Sequence, residues 1–219
     1  MVVLEELEQA RTVFLKYTRK AFLRLPRFNR PRILDIGCGS GIPTIELAKL
    51  SSGEVIGIDI DQSCIDELNR KIRKEELSNR VQGINLSMLK MKFPDETFDV
   101  VWSEGVIRII GFETSLKQWY RFLKHKGYLV IHSQISHVAD SISRIPQHGY
   151  NLEGTVQLPV DAWWTEFYQP LEEKMIYLLC KYEKNPEALN LLKQLHSEIG
   201  IVKNMPHNFR SAFYIMKKV

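Results

Sequence analysis

Leu34-Asp35-Ile36-Gly37-Cys38-Gly39-Ser40-Gly41 carries a short apolar run, begun at Arg32, into three alternating glycines, after which residues 42–50 take up helical spacing. The order is strand, glycine turn, helix. Glycines there let the backbone turn sharply and let a ligand approach the main chain with no Cβ in the way. The spacing is G-x-G-x-G with an acid, Asp35, ahead of it, not the G-x-G-x-x-G of dinucleotide sites. A pyrophosphate is served by an uncluttered helix N-terminus, whereas a carboxylate at the strand end suits a cationic ligand.

Outward from the turn the pattern repeats. Residues 54–60 read as a second strand, 61–76 as a helix with Asp61 at its N-cap, and 80–86 as a third strand. The second strand delivers Asp59 about 20 residues beyond the turn, where a carboxylate can accept both hydroxyls of a ribose. Residues 98–103 make a fourth buried strand, 113–125 a helix and 128–132 a fifth strand, so the alternation predicts an α/β doubly wound fold. Then the rhythm changes: a helical piece at 138–147, a strand at 150–158, helices at 162–181 and 186–199, and a last strand at 209–217. The stretch 160–206 is too helical for a loop and reads as a lid insertion between the last two strands. In front, residues 3–24 carry apolar positions at helical spacing, closed by Pro26, so residues 1–28 read as an N-terminal helix.

The whole is 219 residues, 44% hydrophobic and 26% charged, an ordinary globular composition. Its 30 Lys and Arg against 26 Asp and Glu leave a dispersed +4, which predicts neither a nucleic-acid nor a membrane partner. No apolar run approaches the roughly 20 residues of a transmembrane helix, and residues 1–10 carry acids where a signal peptide is basic and apolar; a cytoplasmic location is expected. Cys38, Cys64 and Cys180 have no C-x-x-C spacing, so reduced thiols are expected and no metal site.

At this point the chain resembles the class I S-adenosylmethionine-dependent methyltransferases, of the small-molecule kind similar to methyltransferase type 11, over about residues 17–219. The glycine motif is matched by Leu34 to Gly41 and the ribose acid by Asp59. A Pro-Asp-x-x-Phe-Asp signature is matched by Phe93-Pro94-Asp95-Glu96-Thr97-Phe98-Asp99, and the fifth strand by Gly127-Tyr128-Leu129-Val130-Ile131. His125-Lys126 stands where Pro-Gly is common. The resemblance implies a single domain over 1–219 with a Rossmann-like, seven-stranded mixed sheet whose last strand is antiparallel. It implies S-adenosylmethionine as cofactor, met by Tyr17, Asp35, Gly37, Cys38, Gly39, Gly41, Asp59, Ile60, Ser87, Met88 and Ser103. The family often has an aspartate for the adenine amino group after the third strand. Asn85-Leu86-Ser87-Met88-Leu89 stands here, with the Ser87 hydroxyl as the candidate acceptor and the Met88 N–H as a second contact.

Ligands in open α/β sheets lie beyond the carboxyl ends of the strands, so the acceptor is expected to meet the residues after strands four and five. Glu104 and His132 are the candidate catalytic residues there, the first for positioning and the second as a base, with Arg108 as a substrate contact. From the insertion, Trp163, Trp164 and Tyr168 are candidate substrate contacts, since helical spacing sets Trp164, Phe167 and Tyr168 on one face. Glu113, nine residues after Glu104, is read as a first-turn helix acid and not as half of a guanidinium-gripping pair. The expected reaction is methyl transfer to a small-molecule acceptor. Its rivals are a protein or RNA methyltransferase and a protein that binds the cofactor without turning it over. The two insertion helices could equally cover a site or form a homodimer surface. A nicotinamide oxidoreductase is disfavoured by the glycine spacing and by the lack of a suitably placed Tyr-x-x-x-Lys.

Overall fold

The computed structural model describes residues 2–219, with side chains from Glu6 onward; Val3 and Leu4 of the leading helical pattern lie outside the described side chains. Two compact units are present. One comprises the segment up to Phe14 together with residues 157–211, the other residues 15–156 and 212–219.

The larger unit is built on a seven-stranded sheet, β1 (Arg32–Ile36), β2 (Glu54–Asp59), β3 (Val81–Asn85), β4 (Phe98–Glu104), β5 (Leu123–Gln134), β6 (Tyr150–Gln157) and β7 (Ser211–Lys218), in the order β3-β2-β1-β4-β5-β7-β6. β1, β2, β3, β4 and β5 pair in parallel, and β7 runs antiparallel to β5, which is the mixed sheet expected from the sequence. Strands buried on both faces must be apolar throughout, as Ile33, Leu34, Val100, Val101, Leu129, Val130 and Ile131 are. The helices of this unit are α2 (Leu15–Phe22), α3 (Ile42–Leu50), α4 (Gln62–Lys74), α5 (Ile107–Ile110) and α6 (Phe112–Trp119). The strand order reverses between β1 and β4, and it is at such a switch point that the connections diverge and leave a crevice beyond the carboxyl ends. As expected, Asp61 caps α4, its carboxylate accepting from the Ser63 amide at 2.8 Å.

The smaller unit contains α1 (Val2–Arg11), α7 (Gln169–Lys181) and α8 (Pro186–Asn204). Leu171, Met175, Leu178, Leu192, Leu195 and Ile199 form its core. The Tyr182 hydroxyl donates to Glu6 at 2.9 Å, and Lys181 pairs with the same carboxylate. At the neck of this unit the Leu158 amide donates to the Ser211 carbonyl at 3.0 Å.

Three predicted boundaries are corrected. The leading helix is not continuous: a 3-10 turn at Thr12–Phe14 separates α1 from α2, and the two helices fall into different units. Thr12 returns its hydroxyl to the Gln9 carbonyl at 2.6 Å, a local bond that competes with the helical ladder beside β-branched Val13. The helix expected at 113–125 ends at Trp119, and β5 begins at Leu123, because Leu123 pairs with Phe98 before an irregularity carries the chain past Lys126 (φ 61°) to Tyr128 opposite Val100. The helix expected from residue 162 opens with a wide π-helical turn over the aromatic run Trp163–Tyr168. No helix among the described residues is long and apolar enough to cross a membrane.

Candidate functional site at the carboxyl ends of β1, β2 and β4

The parallel register sets Asp35 beside Gly57 on one side and Trp102 on the other, so Asp35, Asp59 and Glu104 reach the same edge of the sheet on neighbouring strands. The turn that leaves β1 is pinned by the Gly37 and Cys38 amides, which both donate to the Ile58 carbonyl at 2.9 and 3.0 Å. Two of its glycines are required by packing. A Cβ at Gly41 (φ 83°) would lie 2.2 Å from Leu68 Cδ1, and one at Gly37 (φ 71°) 2.1 Å from Val106 Cγ1. At Gly39 a Cβ would meet no atom within 4 Å, so this glycine keeps space clear over the turn.

The three carboxylates at this edge of the sheet are held in three different ways. Asp35 is 1% exposed and accepts from the Thr44 hydroxyl at 2.6 Å. Burial pushes its pKa up to about 7; the Thr44 bond opposes the rise, and the charges of Glu104 and Asp59 add to it. Glu104 accepts on one oxygen, Oε1, from Trp102 Nε1 at 2.8 Å and from the Thr18 hydroxyl at 3.0 Å. Burial raises it too to about 7, against the pull of those two bonds. Asp59 spans the turn, with Oδ2 accepting from the Gly39 amide and Oδ1 from the Asp61 amide, each at 2.9 Å. Among the described residues no cation bonds to any of the three; Arg19, the basic residue after Thr18, is committed to Glu46 on α3.

The other expected site residues sort by what holds them. Cys38 is buried in the turn and its thiol pKa is pushed up by burial. Ile60 is 74% exposed just past β2, and Asn85 secures that corner by donating to the Ile60 carbonyl at 2.8 Å. The Ser87 hydroxyl accepts from the Leu89 amide at 3.3 Å while Met88 is packed partly against the core. Tyr17 is buried, and Lys16 Nζ stands 5.0 Å from its ring centre. Ser103 is fully buried, and its hydroxyl donates to the Ile36 carbonyl at 3.0 Å, which ties β4 to β1. His132 pairs in register with Glu104 and stacks on Phe213 at 4.5 Å, and burial lowers its pKa to about 4. Arg108 is exposed on α5, between Gly105 and Gly111, both with positive φ.

Glu113 lies in the first turn of α6 as expected, and its carboxylate accepts from Ser141 at 2.9 Å and pairs with Arg144, which hold its pKa down to about 2. It lines, together with Met88, Leu89, Met91 and His148, a cleft of about 780 Å³. Trp163, Trp164 and Tyr168 pack against the smaller unit's own core, where Trp163 Nε1 donates to the Ser211 hydroxyl at 2.9 Å and Lys203 lies 5.4 Å from the Trp164 ring. Among the described residues no group of His, Cys, Asp and Glu is arranged to hold a metal ion.

Residues 33–127 match the family described as a methyltransferase domain. The 27-O-demethylrifamycin SV methyltransferase of Amycolatopsis mediterranei is 34% identical over 126 residues, 57% of this chain and 45% of that protein. An S-adenosylmethionine-dependent methyltransferase from Thiobacillus denitrificans, solved with S-adenosyl-L-homocysteine, superposes with a TM-score of 0.77 at 18% identity over 93% of this chain and 91% of that one. The cyclase SpnF superposes with a TM-score of 0.78 at 16% identity, over 93% and 80%. With the glycine turn and the strand order, these findings support a class I S-adenosylmethionine-dependent methyltransferase fold, with the family match itself confined to residues 33–127. The matched stretches span 26% to 50% of the length of the curated relatives.

Proposed function

We propose that this protein transfers a methyl group from S-adenosylmethionine to a small-molecule acceptor. The observation that carries the reading is the set of three carboxylates, Asp35, Asp59 and Glu104, brought without a bonded cation to one edge of the sheet, where Asp59 also holds the glycine turn at Gly39. Such a site repels a pyrophosphate and attracts an amino-acid cation, and the cofactor carries both an ammonium and a sulfonium. When bound, S-adenosylmethionine supplies an electrophilic methyl group for in-line displacement.

The residues then divide the work. Asp59 takes the ribose hydroxyls with lone pairs left over from its two amide bonds, while Asp35 and Glu104 face the cationic end. Gly37, Cys38, Gly39 and Gly41 present main chain, Tyr17 lies toward the methionine end, and Ile60, Ser87 and Met88 flank the adenine. Arg108 is the proposed acceptor contact. The chemistry rests mainly on holding the nucleophile against the methyl carbon. His132, neutral at pH 7, serves as a hydrogen-bond acceptor; with a pKa of about 4 it is a weak base. A small-molecule acceptor is supported by the rifamycin relative, which acts on a small molecule by its name.

The test is incubation with S-adenosylmethionine labelled in its methyl group, together with a panel of phenols, quinols and amines. Label in the small-molecule fraction is the expected result. Label recovered only in added protein or RNA would replace the acceptor class, and none from a protein that binds the cofactor would make it a non-catalytic binder.

A further inference from the structure

Both hydrogen bonds to the Glu104 carboxylate fall on Oε1, and Oε2 has no hydrogen-bond partner among the described residues. One donor is local. Trp102 lies two residues back on β4, hence on the same face of the sheet, and its indole N–H reaches Oε1 at 2.8 Å. The other comes from 86 residues away on α2, where Thr18 is 1% exposed. A threonine inside a helix commonly returns its hydroxyl to a carbonyl three or four residues back. Thr18 instead sends it out of the helix to Glu104 at 3.0 Å. α2 is seated to do this by the next residue, Arg19, whose guanidinium forks onto both oxygens of Glu46 on α3, the helix that leaves the glycine turn. Turn, α2 and Glu104 are therefore joined by polar contacts.

We propose that Thr18 is a positioning residue for Glu104: from α2 it fixes the carboxylate by Oε1 and so leaves Oε2 as the oxygen that meets the cationic end of the cofactor. The inference rests on the reading of Glu104 as a cofactor-facing carboxylate. It gives α2 a defined task at the site, and it makes the hydroxyl of residue 18, not its shape, the property that matters.

The ionisable groups around Glu104 are Asp35 at the end of β1, Asp59 of β2, His132 opposite it on β5, Arg108 on α5, and the Arg19–Glu46 pair between α2 and α3. Of these Asp35 couples directly with Glu104 through charge. The Thr18 bond favours the ionised form of Glu104, so its loss must move the titration of Glu104 to higher pH.

The experiment is calorimetric titration with S-adenosylmethionine between pH 6 and pH 9, on the full chain and on Thr18→Val, Thr18→Ser, Glu104→Gln and the Thr18→Val/Glu104→Gln double variant. Thr18→Val keeps the shape and removes the donor; it is expected to weaken binding roughly tenfold at neutral pH, the scale of a hydrogen bond to a charged group, and to move the pH midpoint upward. Thr18→Ser should restore both. In the Glu104→Gln background Thr18→Val should shift no midpoint and add little further loss. Unchanged affinity and midpoint in Thr18→Val, or an equal loss in the Glu104→Gln background, would overturn the inference while leaving the Glu104 reading intact. A Glu104→Gln variant that binds as the parent does would remove that reading, and this inference with it.

Discussion

The Gly39 amide donates to Asp59 Oδ2 at 2.9 Å, so the acid expected to hold a ribose also braces the glycine turn. The same carboxylate is tied through Oδ1 to the Asp61 amide at the head of α4. One side chain thus sets the turn and the start of the next helix before any ligand arrives. Asp59→Ala should weaken S-adenosylhomocysteine binding by about 1 to 3 kcal/mol, the cost of leaving buried polar groups unsatisfied. It should also lower the melting temperature of the ligand-free protein. Asp59→Asn, which keeps an acceptor, should recover part of the stability and less of the affinity, as thermal melts beside titrations would reveal.

The two strained glycines should fail in different ways. Gly41→Ala puts a methyl 2.2 Å from Leu68 Cδ1, a fully buried side chain, at a φ of 83°. Overpacking of this kind costs about 1 to 3 kcal/mol, so the variant should lose stability in a denaturant titration. Gly39→Ala meets no protein atom within 4 Å and bears only the backbone strain of φ 52°. Its loss of cofactor affinity should therefore exceed its loss of stability.

Ligand-free stability should fall as pH rises toward neutrality. Burial lifts Asp35 and Glu104 to about 7 in the folded chain, above their ordinary values of 3.8 and 4.5. A group whose folded pKa is raised contributes stability that is fully present below its unfolded pKa and is lost as pH rises through the folded one. The window is thus from about pH 4 to pH 7. Cofactor cations relieve the buried charge, so the rise in melting temperature given by S-adenosylmethionine should be larger at pH 8 than at pH 6. Protons should be released on binding near pH 7, visible as a dependence of the calorimetric heat on the buffer's ionisation enthalpy.

Glu113→Gln should leave cofactor affinity unchanged, because its carboxylate is engaged by Arg144 and Ser141 and shares no contact with Glu104. The expected effect is a small, salt-sensitive loss of stability. Methyl transfer to a guanidinium acceptor that is lost in this variant, with cofactor affinity kept, would restore the paired-carboxylate reading that the sequence left second.

Most of what a residue pattern can encode was legible. The glycine turn with Asp35, Asp59 at the end of the second strand and the N-cap at Asp61 are local features, and local sequence set them. What escaped was decided by contacts distant in the chain. Thr18 and Tyr17 read alike on a helix, and only the folded chain sets the Thr18 hydroxyl against Glu104. Ser103 sits at the expected strand end, and only the folded chain sets its hydroxyl against the Ile36 carbonyl. Leu123 was helical by spacing until its pairing with Phe98 drew it into the sheet. The Thr44 bond to Asp35 carried the fairest signal, a hydroxyl in the first turn of the helix that follows the glycines.

The proposed cofactor site is the set of three carboxylates without a bonded cation at the sheet edge that carries Gly39. Calorimetric titration of the purified chain with S-adenosylhomocysteine at pH 8 tests it most directly. Saturable binding at one site per chain, weakened in Asp59→Ala, is the expected result. A folded protein that takes up no S-adenosylhomocysteine would contradict it and leave the glycine turn as architecture.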